Sequence, residues 1–241
     1  MSYDYLKSHI VEIKDDILKI CDRLGRDPDE VTLIGVTKTY EPEIINASIE
    51  KGITDIAENR VQEITRKFDD IIYKVRWHLI GHLQTNKVKY IIDKVDLIHS
   101  VDSIKLAEEI QNRASKIEKI QDVLIQVNVA NEIQKYGIPE TELPGVLEAV
   151  SKMPNIRVCG LMNIAPLVDD PELLRTDFRE MKKLFDSLSS YSYSNVIPLY
   201  LSMGMSGDYE VALEEGSNMI RIGTKIYGER MATKNKEAHN G

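Results

Sequence analysis

Short apolar runs alternate with stretches of helical period along most of this chain, and that alternation restricts the fold more than any other feature. The first run starts at Val31 and leads to Lys38 within Val31–Tyr40. Seven more follow: Thr54–Ala57, Arg76–Ile80, Asp96–His99, Val123–Val129, Arg157–Leu161, Ile197–Leu201 and Asn218–Ile222. Each is short and carries apolar residues, and the first is rich in β-branched ones, as buried strands are. Between them the apolar residues step by three and four, as in Leu174, Phe178, Met181, Phe185 and Leu188. Strands alternating with helices specify parallel βαβ units. Eight such units predict an α/β chain folded as a (β/α)8 TIM barrel, with its site at the C-terminal ends of the strands. A doubly wound open sheet is the alternative, but no Gly-rich dinucleotide fingerprint follows the first strand.

One further helix precedes the barrel. Leu6, Ile10, Ile13, Ile17, Cys21 and Leu24 lie on one helical face, and Gly25 is placed to stop it. This reading gives one domain: a helix over about 3–25, a barrel over about 31–230, and a polar tail from Ala232 to Gly241. A chain of 241 residues with 42% hydrophobic content is large enough for such a core. The formal net charge of −8 makes nucleic acid and anionic membrane poor partners. Two unrelated cysteines, Cys21 and Cys159, suit a reducing cytosol, and the absence of a signal peptide or membrane span agrees with a cytoplasmic location.

Polar residues cluster where the strands end. Strand parity puts Lys38 on the same side as Ile34 and Val36. Desolvation there favours a neutral amine, which Schiff-base chemistry with an aldehyde needs; a lysine leaving the strand for solvent is the plainer reading. Ser202–Asp208 and Gly223-Thr224 offer small residues and backbone N–H groups to an anion, or are ordinary glycine turns. Loops seven and eight of such barrels often hold a phosphate, and strand eight neighbours strand one, so a ligand held there would reach Lys38. Arg221, inside strand eight, needs either an interior carboxylate or a ligand acceptor. Asn59 is a ligand contact or the cap of the next helix. His78, His82 and His99 lie at or beside strand ends without metal-ligand spacing, so hydrogen-bonding roles are expected of them and no metal is.

Six stretches carry a specific resemblance: Gly35–Lys38, Glu58–Glu63, Trp77–Lys87, Gly160–Met162, Ser202–Asp208 and Arg221–Thr224. Together they resemble the pyridoxal phosphate homeostasis protein family, whose bacterial members are often called the YggS family. The likeness runs from Val31 to Gly228 with the motifs in the family's order. It implies a barrel like the N-terminal domain of alanine racemase and pyridoxal 5′-phosphate (PLP) as cofactor. Lys38 matches the family lysine that forms the internal aldimine. Ser206, Gly223 and Thr224 match positions that hold the phosphate, Arg221 matches the arginine facing the pyridine nitrogen, and Asn59 matches a pocket residue. Two positions depart from the pattern: Ala57 stands where glycine is usual, and Tyr136 interrupts a usual Lys-Ser-Gly after Lys135.

An arginine opposite the ring nitrogen weakens the cofactor as an electron sink. Alanine racemase adds a second base from a C-terminal β-domain that a chain of this length does not accommodate. The resemblance therefore implies a monomeric protein that holds PLP and releases it, with apo-enzymes as recipients and without strong catalytic activity. A weak amino-acid racemase and a class I Schiff-base aldolase acting on a sugar phosphate are the alternatives.

Overall fold

The apolar stripe at the start of the chain forms a helix, α1 (Asp4–Leu24), and Leu6, Ile10, Ile13, Ile17 and Cys21 are all buried. Gly25 ends it in the left-handed conformation (φ 65°), and the N–H groups of Gly25 and Arg26 return to the carbonyls of Asp22 and Cys21. The computed structural model describes residues 3–130, 132, 134–166 and 171–228. The tail from Ala232 to Gly241 lies outside the described residues.

All eight expected strands form: β1 (Thr32–Val36), β2 (Asp55–Glu58), β3 (Arg76–Leu79), β4 (Leu97–Val101), β5 (Gln121–Gln126), β6 (Ile156–Met162), β7 (Val196–Met205) and β8 (Met219–Ile222). They close in sequence order into one parallel barrel. Ile34 of β1 pairs with Asp55 of β2 on one side and with Arg221 of β8 on the other. The outer shell holds α2 (Pro42–Glu50), α3 (Val61–Lys67), α4 (Ile104–Ser115), α5 (Leu143–Ser151), α6 (Pro171–Ser187), α7 (Tyr209–Glu214) and α8 (Thr224–Tyr227). Ser103 caps α4, its hydroxyl accepting from Leu106 N–H at 3.3 Å. None of the described helices is long and apolar enough to cross a membrane.

Alternation along the strands divides the interior in two. Outward residues such as Ile56, Trp77, Ile98, Leu161 and Ile220 pack under the helices. Inward ones such as Ile34, Ala57, Leu97, Leu124 and Met219 form a smaller apolar cluster inside the barrel. The last two helices are short, α7 of six residues and α8 of four. The long α1 lies against them. Arg26 donates to the carbonyls of Leu213 and Ser217, both at 2.8 Å, and Tyr209 Oη donates to Asp16 at 2.6 Å.

Two expectations change. The helix expected around Val88, Ile91 and Ile92 is a 3₁₀ segment, Thr85–Tyr90, which buries Val88 while Lys87 and Lys89 stay at the surface. The stretch from Ser202 read as a turn remains strand through Met205, because β7 runs ten residues. Gly204 makes this continuation possible. Its φ is 94°, and a Cβ there would stand 2.6 Å from the Ala212 side chain and 3.0 Å from the Tyr209 backbone of α7.

Candidate functional site

The C-terminal ends of the strands surround a cavity of about 270 Å3, lined by Val36, Lys38, Asn59, Ile80, Ile164, Met205, Ser206, Gly207, Arg221, Gly223 and Thr224. Each of the six positions singled out in the sequence is in that lining. A size near 300 Å3 is the lower end for small-molecule sites.

Lys38 shares its side of the chain with Val36, as strand parity requires. It occupies a tight turn in which Tyr40 N–H returns to the Thr37 carbonyl at 3.1 Å. The next residue, Thr39, has a φ of 71°. A left-handed backbone is a true outlier for a β-branched residue. Thr37 faces the opposite way, behind β1. Its hydroxyl donates to Glu58 Oε1 at 2.7 Å. Lys67 of α3, wholly buried, donates to the Thr37 carbonyl at 2.9 Å and to Glu58 Oε1 at 2.7 Å, and also pairs with Glu63 at 2.8 Å. Burial raises the Glu58 pKa, and the Lys67 charge opposes that rise. The turn bearing Lys38 is thus held from behind by a buried ion pair.

Asn59 follows β2 directly, and its Oδ1 is buried with no hydrogen-bond partner among the described residues. It is not the cap of α3: that position is Arg60, with no side-chain cap. Gly81, in the loop after β3, packs against it. A Cβ on Gly81 would stand 2.1 Å from the Asn59 carbonyl oxygen, so only glycine permits this approach. Across the cavity, Ser206 Oγ accepts from Gly223 N–H at 3.2 Å, joining the loops after β7 and β8. Gly207 has open space where a Cβ would be, and Thr224 begins α8. The stretch from Ser202 to Asp208 therefore splits in two. Ser206 and Gly207 border the cavity, whereas Ser202 points into the barrel.

Arg221 is 4% exposed. It donates from Nη1 to Ser202 Oγ at 2.7 Å and from Nη2 to the Asn163 carbonyl at 2.8 Å. Among the described residues it makes no salt bridge; the Asp208 carboxylate acts on its charge only at longer range. Burial lowers its pKa to about 10, which leaves it charged at neutral pH. Below it, His99 Nδ1 meets Ser202 Oγ at 3.0 Å, His78 Nδ1 meets His99 Nε2 at 2.9 Å, and His78 Nε2 meets Asp55 Oδ1 at 2.9 Å. Both histidines therefore have the hydrogen-bonding roles expected of them. His82 sits apart, stacked on Tyr136 (centroids 3.8 Å apart) and bonded to Asp102 at 3.1 Å. Tyr136 is absent from the cavity lining. Lys135 reaches across to the Ala165 carbonyl at 3.0 Å, tying the loop after β5 to the loop after β6.

The sequence does not single out Asn163, Asp55, Gly81 or the Glu58–Lys67 pair, and it groups Ser202 with an anion-binding turn, not with Arg221 and His99. Parity held a signal for some: Asp55 alternates with Ala57, and His78 with Ile80, on inward positions. A polar residue at such a position needs a buried partner. Gly81 had no such signal, since its neighbour Asn59 is distant in sequence.

Comparison with known proteins agrees with this geometry. Residues 11–231 match the family described as alanine racemase, N-terminal domain. The pyridoxal phosphate homeostasis protein of Aquifex aeolicus is 45% identical over 219 residues, covering 90% of this chain and 95% of that one. The solved structure of PipY from Synechococcus elongatus PCC7942 with PLP bound is 30% identical, with a TM-score of 0.78 over 88% of this chain and 100% of that one. Alanine racemase from Corynebacterium glutamicum, at 14% identity and a TM-score of 0.69, shares the fold, and this chain covers 64% of it.

Proposed function

The chain belongs to the pyridoxal phosphate homeostasis protein family, within the wider group that shares the alanine racemase N-terminal domain, and we propose from that premise that its barrel-mouth cavity holds PLP and releases it to other proteins. The observation that carries this reading is the convergence of Lys38, Asn59, Ser206, Arg221, Gly223 and Thr224 on one cavity. The donor set suits a phosphorylated aromatic aldehyde. Hydroxyl and backbone N–H groups stand near the start of α8, an amine stands across the cavity, and the buried Asn59 Oδ1 is an acceptor without a partner among the described residues. The phosphate would lie against Ser206, Gly223 and Thr224, the aldehyde against Lys38, and the ring nitrogen toward Arg221.

When bound, PLP supplies an aldehyde that condenses reversibly with a primary amine and a ring able to draw electrons from an attached carbon. The residues here favour the first property over the second. Arg221 is a charged donor without a carboxylate partner among the described residues, so it keeps a facing ring nitrogen in its unprotonated, acceptor form. Among the described residues lining the cavity, Lys38 alone carries an amine and none carries a carboxylate or imidazole. Racemisation needs proton transfer on both faces of a substrate carbon, and this lining offers Lys38 alone for it. Holding and release fit better, with apo-enzymes that need the cofactor as recipients and the cytoplasm as the place of action.

An absorption spectrum of the purified protein beside Lys38→Ala tests the reading. The wild type should show a visible band with added PLP that borohydride bleaches, and peptide mapping should place a pyridoxyl phosphate adduct on Lys38. The alanine variant should show neither. A wild type that stays colourless, or an adduct with the mass of a sugar-phosphate fragment, would replace this reading with Schiff-base aldolase chemistry.

A further inference from the structure

Arg221, Ser202, His99, His78 and Asp55 form one unbroken hydrogen-bonded column through the barrel. The successive contacts are 2.7, 3.0, 2.9 and 2.9 Å. Strands β8, β7, β4, β3 and β2 contribute one residue each, and all five are buried. Interiors of such barrels are ordinarily filled by branched apolar side chains. A buried polar column is stable only when each member is satisfied. One end borders the cavity that holds Lys38. The other end, Asp55, borders a separate cavity at the N-terminal ends of the strands, together with Thr32 and Thr54.

With both imidazoles neutral, the carboxylate end sets the direction of every bond above it. A guanidinium only donates, and a carboxylate only accepts. Ser202 Oγ accepts from Arg221, and with the single proton of His99 on Nε2 its own proton goes to His99 Nδ1. His99 then carries its proton on Nε2 and donates it to His78 Nδ1. His78 carries its proton on Nε2 and donates it to Asp55 Oδ1. Reversing any one bond would leave two protons or two lone pairs facing each other. We infer that Ser202, His99, His78 and Asp55 are a positioning relay, which fixes the Ser202 hydroxyl as the acceptor that holds the Arg221 guanidinium in place at the floor of the cavity.

The surroundings keep both imidazoles neutral. His78 faces Asp55 from β2, Arg76 from its own strand, His99 from β4, and Asp96 from the turn before β4. His99 faces His78, Arg76 and Arg221. Burial lowers both pKa values, more strongly for His99, which has cations and no carboxylate among its charged neighbours. A second proton on His99 would have to sit on Nδ1, where it would displace the Ser202 proton and turn the hydroxyl away from its partner.

The relay itself needs no cofactor; its effect on a bound cofactor rests on the function proposed above. Nitrogen NMR of the full-length, cofactor-free protein tests the first part. His78 and His99 should each show the Nε2–H tautomer and should stay neutral at the pH where a free imidazole takes up its second proton. In His99→Leu, Ser202 loses its acceptor, and exchange of the Arg221 guanidinium protons should quicken about tenfold, the upper end for one net hydrogen bond. His99→Gln can accept from Ser202 and donate to His78, and should restore the wild-type rate. With PLP added, the pH midpoint of the visible band should move by about one unit in the leucine variant and return in the glutamine variant. An Nδ1–H tautomer, a histidine titrating near its free value, or an unchanged Arg221 in a folded leucine variant would overturn the relay. A wild type that binds no PLP would sink the proposed function and leave the cofactor-free spectra to decide the relay. If the leucine variant does not fold, the wild-type tautomers and the glutamine variant still decide it.

Discussion

Thr39 carries a local cost that the cavity geometry accounts for. A left-handed conformation costs a residue with a Cβ about 1–2 kcal/mol, because the Cβ crowds the following carbonyl. Here the turn swings the chain out of β1 at Lys38 while Tyr40 N–H closes back on Thr37. Strain kept beside a reactive side chain is a common mark of a functional site. Thr39→Gly should remove the strain, and glycine's greater freedom in the unfolded chain should take back about 0.5–1 kcal/mol. A net gain of roughly 0.5–1 kcal/mol by urea unfolding is the expected outcome. No gain would mean the turn relaxes in solution. Lys38 was legible in the sequence because parity places it without knowledge of any neighbour. Thr39 was not, because threonine carries no signal for positive φ.

Elements α3 and β2 are joined by a charge pair that lies wholly out of water. Lys67 and Glu58 are both fully buried, with Thr37 between them as a shared partner. Breaking such a pair from one side leaves an uncompensated charge and costs about 3–5 kcal/mol, whereas replacing both members with apolar residues is often near neutral. Lys67→Met should therefore destabilise the protein by about that amount, and Lys67→Met with Glu58→Leu should recover most of it. Denaturant midpoints of the two singles and the double close the cycle. If the double is as unstable as the worse single, the pair does not act as a unit. The periodicity of α3 was readable in Val61 and Ile64, but a lysine in a helix reads as a solvated face. Only the packing of α3 on β2 shows that Lys67 points inward.

The molecule as a whole should lose stability as pH falls below neutrality. His78 and His99 have folded pKa values below the unfolded value of about 6.5. The unfolded chain therefore binds more protons once pH drops below about 6.5, and stability falls with it. Asp55, held low by His78, Thr54 and Arg76 against its own desolvation, adds a loss of the same sign below about pH 4. Burial raises Glu58, Asp177 and Asp208, which bind protons early in the folded state and oppose the trend just above about pH 4. Urea titrations should show a loss of roughly 1–2 kcal/mol per pH unit below about pH 6, and His99→Gln should reduce it by about half. A flat profile would mean that these histidines are charged, or exposed, in the folded protein.

Periodicity alone determined the barrel, since a period of two or of 3.6 is a local property that burial on one side imposes on any strand or helix. It also put Lys38, Asn59, Ser206, Arg221, Gly223 and Thr224 at or beside strand ends, where the barrel rule looks for a site, while their grouping around one cofactor came from the family resemblance. The contacts of Arg221 were decided by tertiary structure. Its partners Ser202 and Asn163, and the His99, His78 and Asp55 beneath them, come from five other strands or the loops that follow them, and their alignment depends on strand register and on the extension of β7 through Ser202. Register is set by the closing of the whole barrel, so no local stretch of sequence carries it.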